Sequence, residues 1–320
     1  MRVQVLVLDG VFDTGLSLLL DALQTASELA KLNGKPSVRF DVELVGLARK
    51  ATTQQGLTVR LAPANAKARP DVVVVPALGS KLPDALGEAL RRPTVQRACR
   101  LLGDWASTGT MMTAACTGTF VLAESGALDG HAATTSWWLA PLFRKRYPRI
   151  ELDDSRMLIK SSRFITAGAA LAHLDLALFL VRSQSPSLAA MTARYLVVEQ
   201  HSSQAAFAIP DHLAHSDPLV ERFERWARRH LSERFSLEAA ARAAGTSERT
   251  LARHLKLTLD KSPLGYVQDL RVERAVHLLQ TSGDNIDAIA EKVGYEDGIT
   301  LRNLLRRRTG RGVRELRKSR

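Results

Sequence analysis

A chain of 320 residues is long enough for two domains of ordinary size, and a hydrophobic content of 45% is too high for a disordered protein. No run of about 18 apolar residues without charge suggests a transmembrane helix, and two cysteines, Cys99 and Cys116, make no disulfide framework and fit a reducing cytoplasm. The formal charge of +12 raises nucleic acid as a partner, although an arginine-rich surface can also reflect genome composition. The N-terminal run MRVQVLVLDGVFD meets Asp9 and Asp13 too early for a signal peptide and reads as a first buried strand.

Strands are expected at 3–8, 40–47, 71–75 and 110–114, with helices at 15–32, 85–91 and 94–107 between them. VVVVP at 72–76 is the clearest buried strand, a β-branched run closed by proline. A helix to 146, a strand near 164–166 and helices at 169–182 and 186–200 continue the alternation. This order predicts an α/β domain, a mostly parallel flavodoxin-like sheet between helices. Residues 201–218, HSSQAAFAIPDHLAHSDP, lose all periodicity and read as a linker. Everything beyond reads as helical: 219–231, 236–244, 247–258, 264–280, 285–293 and 297–308. The predicted organisation is therefore an α/β domain over 1–200, a linker over 201–218 and an all-α domain over 219–320. The last part is denser in charge. Residues 213–320 hold 22 Lys and Arg against 15 Asp and Glu, a net of +7.

The helical part contains a repeat. In LEAAARAAG (237–245) and IDAIAEKVG (286–294), Leu237, Ala240, Ala241 and Ala244 match Ile286, Ile289, Ala290 and Val293 at an offset of 49. RTLARHLK (249–256) matches ITLRNLLR (299–306) at an offset of 50, with Leu251 and Leu255 against Leu301 and Leu305. Each copy is a helix, a turn bearing glycine and a helix, so the pattern predicts two helix-turn-helix units. Opposite the leucines, Arg249, Arg253 and Lys256 of one copy answer to Ile299, Asn303 and Arg306 of the other, with Arg302 beside them. Such donors suit the major groove, where guanine offers two acceptors to arginine and adenine an acceptor and a donor to asparagine. Ser247, Arg249, Arg253, Lys256, Arg302, Asn303, Arg306 and Arg307 are the candidate DNA-binding residues.

Over about 219–317 this tandem resembles the AraC/XylS family. The likeness rests on FSLEAAARAAGTSERTLARHLK, SPLGYVQDLRVERAVHLLQ and IDAIAEKVGYEDGITLRNLLRRRTG. It implies two units reading adjacent major-groove segments. Val313 stands where the family usually has proline, and Asn303 replaces a more usual arginine.

Cys116 lies in TAACTGTFV (113–121), where an apolar run meets a small-residue turn, as in a strand-to-helix elbow. LDGVFDTG (8–15), VVVVPALG (72–79), AACTGTFVLAESGALDGHAATTSWW (114–138) and ITAGAALAHLDLALFLV (165–181) together resemble the ThiJ/PfpI superfamily, with its glutamine amidotransferase-like fold. Followed by AraC-type helices, the arrangement is similar to that of GlxA-type transcriptional regulators.

That resemblance implies a bacterial, cytoplasmic, nucleoid-associated regulator that binds promoter DNA, senses a small-molecule effector and forms a homodimer. RNA polymerase is implied as a partner if the protein activates, and neither a membrane nor a cofactor is expected. The candidate effector pocket comprises Asp13, Cys116, Thr117, Gly118, Ser136 and Trp137, at the C-terminal ends of the strands. A second reading is an enzyme, a cysteine-dependent hydratase or hydrolase using Cys116 and Asp13 with an accessory DNA-binding domain. Proteases and glyoxalases of the superfamily usually carry His directly after the cysteine, where this chain has Thr117. Ser136 stands where related sequences have another His. A thiol without a neighbouring base stays mostly protonated at pH 7, so Cys116 is expected to line a pocket rather than catalyse. His173 is expected to be a satisfied core histidine, and His212 and His215 solvated residues rather than metal ligands.

Overall fold

The computed structural model describes residues 1–34, 37–65, 67–198, 204, 217–259 and 261–318. It divides into two compact units, Met1–Phe207 and Ala208–Arg320. Most of the expected linker, with His212 and His215, lies outside the described residues.

The first unit is built on a seven-stranded sheet. Its strands are β1 (Arg2–Leu6), β2 (Asp41–Gly46), β5 (Ala62–Pro63), β6 (Val72–Val75), β7 (Met111–Ala115), β10 (Leu158–Ser161) and β11 (Phe164–Ala167), in the order β10-β11-β7-β6-β1-β2-β5. All neighbours pair in parallel except β10 and β11. Two small pairs lie outside it: antiparallel β3 (Lys50–Thr52) with β4 (Thr58–Arg60), and parallel β8 (Ala132–Ala133) with β9 (Glu151–Leu152). These short strands were not expected, because two or three residues are too few to show an alternation.

Helices cover both faces of the sheet. They are α1 (Asp13–Leu32), α2 (Pro83–Arg91), α3 (Pro93–Ser107), α4 (Gly118–Glu124), α5 (Ala140–Arg146), α6 (Ala172–Gln184) and α7 (Pro186–Tyr195). Strand β6 shows why its run is apolar throughout. Val72 and Val74 pack with residues of α1, α6 and α7, while Val73 and Val75 pack with residues of α2, α3 and α4. A strand buried on both sides has no solvent face for polar residues to mark. Helix α1 buries Leu16, Leu19, Leu23, Ala26 and Ala30, one stripe at helical spacing.

The second unit is helical: α8 (Pro218–Arg229), α9 (Leu237–Ala243), α10 (Glu248–Leu259), α11 (Pro263–Thr281), α12 (Ile286–Lys292), α13 (Gly298–Thr309) and α14 (Val313–Lys318). The pairs α9–α10 and α12–α13 are the two expected helix-turn-helix units. The matched Leu251, Leu255, Leu301 and Leu305 are all fully buried. Asp217, Ser236, Asn285 and Asp297 cap α8, α9, α12 and α13 by accepting backbone N–H bonds. The two turn glycines meet different needs. Gly245 and Gly294 both take positive φ, 71° and 80°. A Cβ on Gly245 would meet nothing, whereas one on Gly294 would strike the Leu231 carbonyl and the Arg271 guanidinium. Arg271, buried on α11, donates to the carbonyls of Leu231 (3.0 Å) and Glu233 (2.5 Å) and lies over the Tyr295 ring. The Gly294–Tyr295 pair thus makes room for the arginine that ties α11 to the turn before α9.

Candidate functional site

Cys116 stands at the end of β7 with φ 55°, a left-handed conformation that a residue with a Cβ adopts only under constraint. The constraint comes from both sides. The Cys116 N–H donates to Ala167 O of β11 at 2.8 Å, and Thr135 Oγ1 donates to the Cys116 carbonyl at 2.8 Å. Directly after it, Thr117 Oγ1 donates to Leu78 O at 2.7 Å. Gly118 packs so close to the end of β6 that a Cβ there would drive into the Val75 carbonyl oxygen. The elbow expected from the sequence is therefore built, and its small residues are steric requirements.

The sulfur is buried and lies 2.8 Å from Ser136 Oγ. Burial pushes the thiol above its ordinary value, opposed in part by Ser136, Thr117 and the charge of Lys81. The group at the elbow is thus a protonated thiol at neutral pH, and among the described residues no histidine is hydrogen-bonded to it. Helix α4 has only seven residues, too short to supply much dipole to the sulfur.

The hollow over Cys116 is small, with about 10 Å³ of free space, room for one water molecule. Phe12, Leu78, Lys81, Thr117, Trp138 and Ala170 are among its walls. Trp138, rather than Trp137, faces this space. Trp137 is buried and meets the Trp138 ring edge-on at 5.5 Å. Asp13 does not line the hollow. It opens α1, accepts the Gln55 N–H at 3.1 Å, and keeps its other carboxylate oxygen buried without a partner among the described residues. Of the six expected pocket residues, the fold sets Ser136 and Thr117 on Cys116, uses Gly118 to pack the elbow, and leaves Trp137 and Asp13 outside the walls of the hollow.

His173 is fully buried, as the core reading expected. Its Nε2 accepts the Ala77 N–H at 3.1 Å and its Nδ1 donates to Ala170 O at 2.8 Å. Burial holds its pKa down at about 4, so the ring is neutral and carries its proton on Nδ1. Both of its partners are wall residues, so the histidine sets the shape of the hollow from behind.

Gln204 escaped the sequence reading, which placed it in the linker. It is fully buried in the first unit, where its amide donates to Thr135 O at 2.8 Å and Thr134 Oγ1 at 3.2 Å. Its Oε1 accepts the Trp137 N–H at 3.4 Å. Gly168 has no room for a Cβ because the Gln204 amide occupies that space. A lone polar residue in a stretch without periodicity leaves no trace of burial in sequence. A larger surface hollow, about 440 Å³, lies elsewhere beside Glu124, Asp129, Arg146 and Arg149. Its charges are paired with one another, Glu124 with Arg146 and Asp129 with Arg149.

In the second unit the faces that carry the candidate DNA-binding residues point outward. Arg249, Arg253 and Lys256 on α10, and Arg302, Asn303, Arg306 and Arg307 on α13, are all exposed. Arg249, Arg253, Arg302, Arg306 and Arg307 have no side-chain partner among the described residues. Ser247 instead bonds locally, accepting the Thr250 N–H at 3.2 Å ahead of α10. Arg308, next to these donors, is held by Asp269 at 3.3 Å. Five unpaired guanidiniums on two equivalent helices form a surface suited to phosphates and base edges. Among the described residues there is no cluster of metal-ligating side chains and no helix long and apolar enough to cross a membrane.

Comparison with known proteins divides the chain in the same way. Residues 1–183 match the model of the DJ-1/PfpI family, and residues 240–319 match a helix-turn-helix domain. Among curated proteins, the chain is 26% identical over 213 residues to the HTH-type transcriptional regulator GbdR of Pseudomonas aeruginosa, covering 65% of this chain and 58% of that one. It is 28% identical over 204 residues to the HTH-type transcriptional regulator ArgR of the same species, covering 60% of each. The chain therefore spans less than two thirds of the length of these relatives. A solved structure of an AraC family transcriptional regulator from Pseudomonas putida matches 61% of this chain and 98% of its own, with a TM-score of 0.51 at 22% identity, a likeness of fold.

Proposed function

The chain belongs to the DJ-1/PfpI family, and from that premise we propose that it is a sequence-specific DNA-binding transcriptional regulator whose first unit senses a small metabolite. The observation that carries this reading is the pair of equivalent helices α10 and α13, each burying its leucines and exposing arginines, Arg249 and Arg253 on one and Arg302, Arg306 and Arg307 on the other, that lack side-chain partners within the described residues. The names of the curated relatives support it. Each helix lies in the major groove of promoter DNA, with Arg253 and Arg306 among the contacts to bases and phosphates. A homodimer places paired units on paired half-sites, and an activator of this kind also contacts RNA polymerase. The working compartment is the bacterial cytoplasm, at the nucleoid.

The effector is a small anionic or carbonyl-bearing molecule. Lys81 supplies positive charge at the rim of the Cys116 hollow, and the Trp138 ring offers an apolar face. About 10 Å³ admits no metabolite, so the hollow opens on binding. That opening breaks or moves contacts around Ser136 and is the event that passes from the first unit to DNA affinity.

Genome-wide occupancy of the native protein in its host tests the reading. Sharp peaks at a few promoters are expected, and diffuse occupancy overturns it. In vitro, Arg253→Ala and Arg306→Ala should each weaken specific binding by about 1–3 kcal/mol. Unchanged affinity in both would remove these residues from the interface.

The strained backbone of Cys116 favours one other reading, covalent chemistry on a carbonyl-type substrate. The raised thiol, which has no base among its hydrogen-bond partners within the described residues, weighs against it. It requires a turnover that Cys116→Ser abolishes.

A further inference from the structure

The two recognition helices are equivalent on their buried sides and chemically different on their exposed sides. Each begins one residue before the position of interest: Glu248 opens α10 and Gly298 opens α13. The second residue is Arg249 in one helix and Ile299 in the other. Four residues on, along the same face, stand Arg253 and Asn303. The first residues of a helix in the major groove are those that reach base edges, so these pairs occupy matching reading positions.

Ile299 is 69% exposed. A single exposed apolar side chain is ordinary on a protein surface. What sets Ile299 apart is its place, on the face that otherwise carries Arg302, Asn303 and Arg306. The core of this half needs nothing from it, since Leu301, Leu304 and Leu305 fill that role. The first turn that presents it is firmly held. Asp297 accepts the Thr300 N–H at 2.7 Å, and the Gly298 N–H donates to Asp287 Oδ1 at 2.9 Å, anchoring α13 to α12.

Base chemistry then assigns the readout. Of the four bases only thymine shows the major groove a methyl group, and only adenine presents the acceptor and donor that fit a carboxamide. Resting on the DNA-binding reading above, we infer that the second helix-turn-helix reads an A·T-containing step, with Ile299 against a thymine methyl and Asn303 on adenine. The first helix-turn-helix reads guanine through Arg249 and Arg253. The chain therefore recognises a compositionally split site, one segment chosen by G·C and the adjacent one by A·T.

The test uses the full-length protein. A random duplex pool is first selected for binding, and the consensus is then resynthesised with each thymine replaced singly by deoxyuridine, which lacks the methyl group. One replacement should weaken wild-type binding about fourfold, the worth of one buried methyl. That penalty should vanish in Ile299→Ala and persist in Ile299→Val, which keeps a branched apolar tip. Asn303→Ala should lose the preference for adenine near that thymine. Ile299 is exposed and outside the core, so these variants fold. If a consensus emerges but no thymine methyl matters, or its penalty is undiminished in Ile299→Ala, this inference falls while the regulator reading stands. If no consensus emerges, the regulator reading itself falls and takes this inference with it.

Discussion

The elbow around Cys116 and the outer faces of α10 and α13 are both rich in polar atoms, yet they treat them in opposite ways. At the elbow nearly every polar group is answered from within. The sulfur meets Ser136, Thr117 meets Leu78 O, His173 meets Ala77 and Ala170, and the amide of Gln204 meets Thr135 and Thr134. On the recognition helices five guanidiniums have no internal partner among the described residues. A buried polar group must find its partner in the fold, because losing water costs about 1–3 kcal/mol unless a bond replaces it. An exposed one is free to wait for an external partner. The first arrangement leaves a closed hollow, which on the reading proposed above rearranges to bind. The second makes a site ready for a large, charged ligand.

This contrast predicts that substitutions at the elbow change stability and that substitutions on the recognition faces change binding alone. The largest effect is expected from Gly118→Ala. Its Cβ would collide with the Val75 carbonyl, a backbone atom of a central strand that cannot swing aside. A loss of about 4 kcal/mol or more is expected, read as faster hydrogen exchange at the β6 and β7 amides. Native protection in this variant would show that α4 does not pack as described.

His173 comes next, through pH. The ordinary histidine value of 6.5 applies to the unfolded chain, and burial lowers the folded value to about 4. The unfolded state therefore takes up the proton first as pH falls. The contribution is intact above pH 6.5 and is lost progressively down to about pH 4, a loss on the order of 3 kcal/mol. Denaturation of the full chain across that range should show the first unit weakening towards acid, and His173→Asn should flatten the slope. An equal slope in the variant would assign the acid sensitivity to other groups.

Gln204→Ala should cost about 2 kcal/mol, since its partners at Thr135 and Trp137 lose bonds inside the fold. Because these residues flank Ser136, the variant should also expose Cys116 to thiol reagents more quickly. Unchanged stability and unchanged labelling together would mean that Gln204 merely rests there. Smallest of all is the stability change expected for Arg253→Ala and Arg306→Ala, within about 0.5 kcal/mol, despite their expected effect on DNA binding. A large destabilisation would erase the distinction between the two kinds of site.

How much of this was legible in the sequence follows from the same physics. Periodicity records burial faithfully where elements are long. The stripe of α1, the valines of β6 and the matched leucines of α10 and α13 could all be read from spacing alone, because water and core impose a repeat of 3.6 or an unbroken apolar run. The elbow was legible as a motif, since Gly118 and the small residues around it leave a compositional mark. The short strands β3, β4, β8 and β9 were not, being too brief to show a period.

By itself, then, the sequence determined the order of the two units, the tandem repeat within the second, and the cationic donors on its exposed helix faces. These follow from local periodicity and from residue type. Only the tertiary structure decided which polar side chains meet. It set Ser136 on the sulfur, turned Trp138 rather than Trp137 to the hollow, kept Asp13 with Gln55, and drew Gln204 inside. Such contacts join residues far apart along the chain, and their energy depends on distance and dehydration, which no spacing within a single stretch records.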